Sequence, residues 1–138
     1  MDKLVELKKN NKWKLNNDWF DKNKKEKKNW IDKTLDDLNK ETEETKKNGG
    51  KIHPLQLALD VQEVLTENDW LVIDGGNTHF WSEIAINIAG SKGKKLGGIL
   101  HPGTFSMLGV GVPFAVSAKN LNPKSNVVLI SGDGAFLS

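Results

Sequence analysis

The chain has 138 residues, 20 basic side chains (all lysine) against 18 carboxylates, a net charge of +2 and no cysteine. The absence of cysteine excludes disulfides and thiolate metal sites, and a chain without arginine lacks the bidentate phosphate and base donors of a dedicated nucleic-acid binder. No run is long and apolar enough to span a bilayer and no signal-peptide hydrophobic region opens the chain, so a cytoplasmic protein is expected, of one domain's length, with neither nucleic acid nor membrane as partner.

Residues 1–50 are crowded with Lys, Asp, Glu and Asn; from Ile52 onward the chain turns apolar and glycine-rich. The apolar residues of the first part are Leu4, Trp13, Leu15, Trp19, Phe20, Trp30, Ile31, Leu35 and Leu38. Trp30, Leu35 and Leu38 fall near helical spacing, as do Ile31 and Leu35. The pattern predicts an amphipathic helix from Glu26 to Thr45 whose charged remainder is solvated. Lys24, Lys25, Lys27 and Lys28 lie near Trp19, Phe20 and Trp30, but the interleaved acids favour a solvated helix over a nucleic-acid or membrane patch. The tryptophans read as docking this segment on a neighbouring domain. Asn48-Gly49-Gly50 ends the helix and marks a linker.

Pro54 to Asn68 reads as the next helix, with proline in its first turn and a broad apolar face; His53 before it reads as structural. Trp70 to Asp74 is a short buried strand that stops at Gly75-Gly76-Asn77-Thr78. A helix is expected from Phe80 to Ala89. The backbone N–H groups of Gly76, Asn77 and Thr78 would then lie at its N-terminus, where unpaired donors and the helix dipole favour an anion. Thr78 or Asn77 could equally be only an N-cap. His79 could reach a phosphate or substrate, or be structural.

Gly90 to Gly98 reads as a loop with solvated Lys92, Lys94 and Lys95. Ile99 to Thr104 is irregular or a short strand, and His101 there either contacts substrate or makes a loop contact. Ser106 to Lys119 starts with small residues and becomes a thin helix, with Gly109, Gly111, Ala115, Ser117 and Ala118 permitting close approach and Pro113 in its first turn. Val127 to Ile130 is an unbroken apolar run that predicts a buried parallel strand, broken at once by Gly132-Asp133-Gly134. Asp133 puts one carboxylate at the strand tip, suited to a hard cation such as Mg²⁺ that also takes phosphate oxygens. A surface turn with a solvated Asp fits those three residues as well. Two strands that each stop at glycine and polar residues suggest one shared ligand edge in an α/β fold. No G-x-G-x-x-G turn follows the first strand, which counts against a dinucleotide fold.

Three segments together resemble one family: Asp74-Gly75-Gly76-Asn77-Thr78-His79, then residues 106–115 (SMLGVGVPFA), then Ile130-Ser131-Gly132-Asp133-Gly134-Ala135-Phe136. Their order and context are similar to the thiamine-diphosphate-dependent decarboxylases and carboligases, in the branch of acetolactate synthase large subunits. The resemblance implies an incomplete doubly wound parallel sheet over residues 51–138, the first half of the diphosphate-binding (PP) domain. Residues 1–50 would be a helical tail of the preceding central domain plus linker.

The cofactors implied are thiamine diphosphate and Mg²⁺, with a flavin requirement left open. Asp133 would ligate the metal. Gly132, Gly134 and Ala135 would surround the diphosphate, and Gly76, Asn77 and Thr78 match the family's other diphosphate loop. Ser106, Met107 and Leu108 match the stretch at the aminopyrimidine, with Leu108 where acetolactate synthases favour Met. No residue here matches the activating glutamate, so no catalytic residue is assigned and the isolated chain is expected to be an inactive fragment or part of a split gene. The implied full protein decarboxylates a 2-keto acid and transfers the two-carbon unit to a second, as a homo-oligomer (dimer or larger). Alternatives are a 2-hydroxyacyl-CoA lyase, an oxalyl-CoA decarboxylase or another 2-keto-acid decarboxylase. From other classes come a non-catalytic nucleotide-binding module and an interaction fragment built on the charged helix.

Overall fold

The computed structural model describes residues 17–138; the expectations placed on Leu4, Trp13 and Leu15 lie outside the described residues. The chain divides into two compact units on either side of the Asp37–Leu38 bond. A single helix, α1 (Asn17–Asn48), runs through that division and is longer at both ends than the expected Glu26 to Thr45. Asp18 in its first turn and Lys46 and Lys47 in its last complement the helix dipole, which extends it beyond its apolar positions. Within the first unit Ile31 is buried, whereas Trp19 and Trp30 are exposed. The helix ends as expected: Gly49 takes φ +68° and the Gly50 N–H donates to Thr45 O at 2.9 Å.

In the second unit the order is α2 (Pro54–Val64), β1 (Trp70–Ile73), α3 (Asn77–Ser91), β2 (Gly98–Leu100), a 3₁₀ turn (Gly103–Phe105), α4 (Gly111–Leu121), β3 (Val127–Ile130) and a single-turn α5 (Asp133–Phe136). Helix α2 starts on His53, whose Nδ1 accepts from the Leu55 N–H at 3.1 Å while its ring packs edge-on against Trp81. It stops at Val64, four residues before the expected Asn68. Thr66 instead turns back on Asp69, whose carboxylate accepts from its N–H and hydroxyl, both at 2.8 Å. Lys94, expected to be solvated, donates to the carbonyls of Glu63 and Leu65 and so satisfies the end of α2.

The three strands form one parallel sheet in the order β2-β1-β3. Trp70 pairs with Gly98 on one side and with Val127 on the other. The segment after Gly98 is therefore a true strand, which gives the sheet a third member that the glycine-bounded pattern of the other two did not announce. Side chains alternate across the sheet. Leu71, Ile73, Val128 and Ile130 pack with Leu65, Val61 and Ile86 on the face covered by α2 and α3. Beside this cluster Leu55, Ala58 and Ala85 join α2 to α3, with Leu38 against them. Leu129 points to the other face, where α4 approaches at Gly111. Leu71, Val72 and Ile73 are fully buried, but Val127–Ile130 is only half-buried. That departs from the buried strand expected: β3 lies at the edge of the described sheet, and an edge strand has neighbours on one side only.

Both ends of the sheet carry a buried aspartate. At the amino end Asp69 also accepts from the backbone N–H and the side-chain amide of Asn126, at 3.2 and 2.9 Å, which fastens the start of β1 to the start of β3. The Thr66 N–H first, then the Thr66 hydroxyl and the Asn126 donors, hold the Asp69 carboxyl below the usual carboxylate range, against the opposing effect of burial. Among the described residues no helix is long and apolar enough to cross a membrane.

Candidate functional site

Because the strands are parallel, the segments leaving β1, β2 and β3 all emerge at one edge. The first two interlock through glycine. A Cβ on Gly75 would run into the carbonyl oxygens of Ser106 and Met107, so only glycine lets these backbones approach. Gly76 takes φ +83° and its N–H donates to Ser106 Oγ at 3.0 Å. Ser106 has φ +47°, the one positive φ outside glycine among the described residues. Its unfavourable backbone is held where the side chain can meet Gly76. Leu108 completes this wall, its Cδ2 3.4 Å from the position a Gly76 Cβ would take.

The third segment joins through Asp74 and Thr78. Asp74 is fully buried; its Oδ1 accepts from the Gly75 N–H at 2.8 Å and its Oδ2 from the Ser131 hydroxyl at 3.2 Å. One carboxylate thus fixes both the turn after β1 and the turn after β3. Sequence reasoning gave Asp74 no role, although a carboxylate directly before a Gly-Gly turn was a signal that could have found it. On the other side of the junction, a Gly132 Cβ would stand 3.2 Å from Thr78 Oγ1.

The helix following β1 begins at Asn77, three residues earlier than expected, with Gly76 as its N-cap and no side-chain cap. Neither Asn77 nor Thr78 is therefore an N-cap. The anion site expected at Gly76, Asn77 and Thr78 is narrower than proposed, because the Gly76 N–H is already engaged by Ser106. Asn77 and Thr78, as the first two helical residues, keep N–H groups without intrahelical acceptors. A cavity of about 250 Å³ opens beside them, bordered also by Trp81, Ser82, Ile130 and Ser131.

The structure brings Gly76 against Ser106 and Leu108, and Gly132 against Thr78, with Met107 joined through its carbonyl at Gly75. Met107 and Leu108 expose 60% and 51% of their surface, so this wall is bare. Asp133 is exposed at the start of α5, and its Oδ1 accepts from the Gly134 N–H at 2.9 Å. Nothing lies within 4 Å of where a Gly134 side chain would begin. Ala135 differs from its neighbours: it is buried, with its methyl turned into the fold. Of the two histidines unassigned from sequence, His79 stands beside Ser106, its Nδ1 3.4 Å from Oγ, and its Nε2 lies 3.1 Å from His101 Nδ1.

A diphosphate with a divalent metal requires backbone donors, a hard oxygen ligand and side-chain-free space. The first turn of α3, the exposed Asp133 carboxylate, and Gly132 and Gly134 meet those requirements at one edge. The donor set fits such a group.

Residues 74–138 match the family described as thiamine pyrophosphate enzyme, C-terminal TPP binding domain. The chain is 38% identical over 85 residues to human 2-hydroxyacyl-CoA lyase 2, covering 62% of this chain and 13% of that protein. It is 33% identical over 86 residues to a catabolic acetolactate synthase of Raoultella terrigena, covering 62% of this chain and 14% of that protein. To a putative acetolactate synthase large subunit of Mycobacterium tuberculosis it is 30% identical over 89 residues, covering 64% and 15%. The chain thus spans about one-seventh of the length of these relatives, which carry both activities the motifs suggested. The matched segment, residues 74–138, is part of the C-terminal TPP-binding domain of the thiamine pyrophosphate enzyme family.

Proposed function

We propose that the full protein is a thiamine diphosphate- and Mg²⁺-dependent enzyme acting on a carbon–carbon bond beside a carbonyl, and that this chain supplies the anchor for diphosphate and metal. The observation that carries the reading is the convergence of three loops, from the ends of three parallel strands, within the segment that matches the family. The first-turn N–H groups of Asn77 and Thr78 would hold the diphosphate, with Gly76, Gly132 and Gly134 leaving room for it. Asp133 would ligate Mg²⁺ as a hard oxygen donor. Ala135 would contribute backbone only. Ser106, Met107 and Leu108 would border the cofactor's rings, Leu108 through its apolar side chain. When bound, the cofactor supplies an electron sink for the carbanion formed next to a carbonyl. Residues 51–138 would be the first half of the PP domain, and residues 1–50 the end of the preceding domain plus linker. The complete enzyme would assemble as a homo-oligomer.

Two substrate readings have support. The Raoultella and Mycobacterium relatives support decarboxylation of one 2-keto acid with transfer of the two-carbon unit to another; the human relative supports cleavage of a 2-hydroxyacyl-CoA. Assaying the complete enzyme with pyruvate and with a 2-hydroxyacyl-CoA separates them. Acetolactate from pyruvate selects the first, cleavage of the thioester substrate selects the second, and no thiamine-dependent turnover of either overturns both.

A further inference from the structure

Three side chains outside the proposed anchor converge at the same sheet edge. His79 and Glu83 are four residues apart on α3 and so share one helix face. His101 directly follows β2 (Gly98–Leu100), the strand next to β1. His79 Nε2, His101 Nδ1 and Glu83 Oε1 form a triangle with sides of 3.1, 3.3 and 3.7 Å. Two ligands at Zn²⁺ distances, about 2.0–2.1 Å, stand about 3.3–3.4 Å apart when the geometry is tetrahedral. The triangle therefore has the size of one face of a zinc tetrahedron before any side chain moves.

We propose that His79, Glu83 and His101 bind a borderline divalent transition metal of the Zn²⁺ type, in a two-histidine, one-carboxylate site with a fourth position open. The ligand chemistry selects against the metal expected at Asp133: imidazole nitrogens suit Zn²⁺, Co²⁺ or Ni²⁺, whereas Mg²⁺ takes oxygen. Both rings are set for the role. The Gly103 N–H donates to His101 Nδ1 at 3.3 Å, so that nitrogen is unprotonated, and a metal there takes over the lone pair that this contact uses. The other nitrogen of His79 lies 3.4 Å from Ser106 Oγ, the kind of outer hydrogen bond that orients a metal-bound histidine. A neutral His79 that presents Nε2 to the metal carries its ring proton on Nδ1, the nitrogen that faces Ser106 Oγ. The side chains are 13%, 41% and 39% exposed for His79, Glu83 and His101, so the metal can enter and its open position can take water or an anionic oxygen.

The test is Zn²⁺ titration of the full chain by calorimetry, with Co²⁺ absorption as a second readout. We expect one saturable site that excess Mg²⁺ does not displace, with a tetrahedral Co²⁺ spectrum. His101→Ala should weaken it at least about tenfold, while Asp133→Ala should leave it unchanged. His101→Cys should restore binding and add a sulfur-to-cobalt charge-transfer band, a gain that a misfolded variant would not give. Absence of saturable Zn²⁺ binding by the full chain overturns the proposal, as does binding that survives His101→Ala; either result would mean the three groups form only a hydrogen-bonded cluster. Thiamine diphosphate plays no part in this measurement, so its outcome is independent of the proposed function.

Discussion

The two ends of the same parallel sheet use aspartate in opposite ways. At the amino end Asp69 accepts from Thr66 and Asn126 until its carboxylate is fully engaged and 4% exposed. At the carboxyl end the work is divided. Asp74 is buried and ties two turns together, while Asp133 is exposed, with a carboxylate that among the described residues meets only its neighbour's N–H. Glycines surround the carboxyl end, where a Cβ would block close approach or fill open space. One end is closed by hydrogen bonds because it only has to hold strands together. The other holds its loops by buried groups and leaves its outer donors available.

Substitutions that fill the carboxyl end should do the most damage. Gly75→Ala pushes a methyl into the carbonyls of Ser106 and Met107, and neither backbone can yield without opening the loop junction. We expect a loss of about 3 kcal/mol, read as a lowered urea midpoint. Gly111→Ala should cost about 2 kcal/mol in the same assay, because its Cβ would sit 2.6 Å from Asp74 Oδ2 and 2.7 Å from Leu129 Cδ1.

The amino end should break in a pH-dependent way. Asp69 has a folded pKa below its unfolded value of about 3.9. Its ionised form therefore stabilises the fold above about pH 4, and that contribution is lost as pH falls through the lower folded value. Asp69→Asn should lower the melting temperature at pH 7, and the gap from wild type should shrink as the pH is brought below about 4. A gap that is constant or widens in acid would contradict the assignment.

Asp133→Ala should change folding stability by no more than about 0.5 kcal/mol, since an exposed carboxylate away from a packed contact contributes little. The smallest effect is expected at Ser82, whose hydroxyl is buried without a hydrogen-bond partner among the described residues. Ser82→Ala should leave the melting temperature unchanged or slightly raised, because it removes a buried polar group that is not paired. A clear loss would mean that water or bound ligand occupies the adjoining cavity.

Features governed by local pattern were legible in the sequence. Strands β1 and β3 announce themselves as apolar runs that stop at glycine. The end of α1 is set by Gly49, and the shared edge of the turns after β1 and β3 follows from the two glycine-bounded strand tips. Features that depend on distant partners were not. Strand β2 is short, and it is a strand because Trp70 to Val72 offers it a ladder. Helix α3 begins at Asn77 because Gly76, fixed by Ser106 thirty positions later, serves as its N-cap. The Asn-Thr pair gave a capping signal that this contact overrides. Lys94 looked solvated because its acceptors, at the end of α2, are about thirty residues away. Asp74 depends on Ser131 in the same manner. In each case a long-range hydrogen bond decides between local options that the sequence leaves nearly equal.

The most direct test of the central claim is a calorimetric titration of the chain with thiamine diphosphate, with and without Mg²⁺, beside the Asp133→Ala variant. Binding that requires Mg²⁺ and is lost in the variant, whose fold is intact, is the predicted result. Binding of the cofactor that is indifferent to Mg²⁺ or survives Asp133→Ala would contradict it, as would NAD or ATP binding in its place.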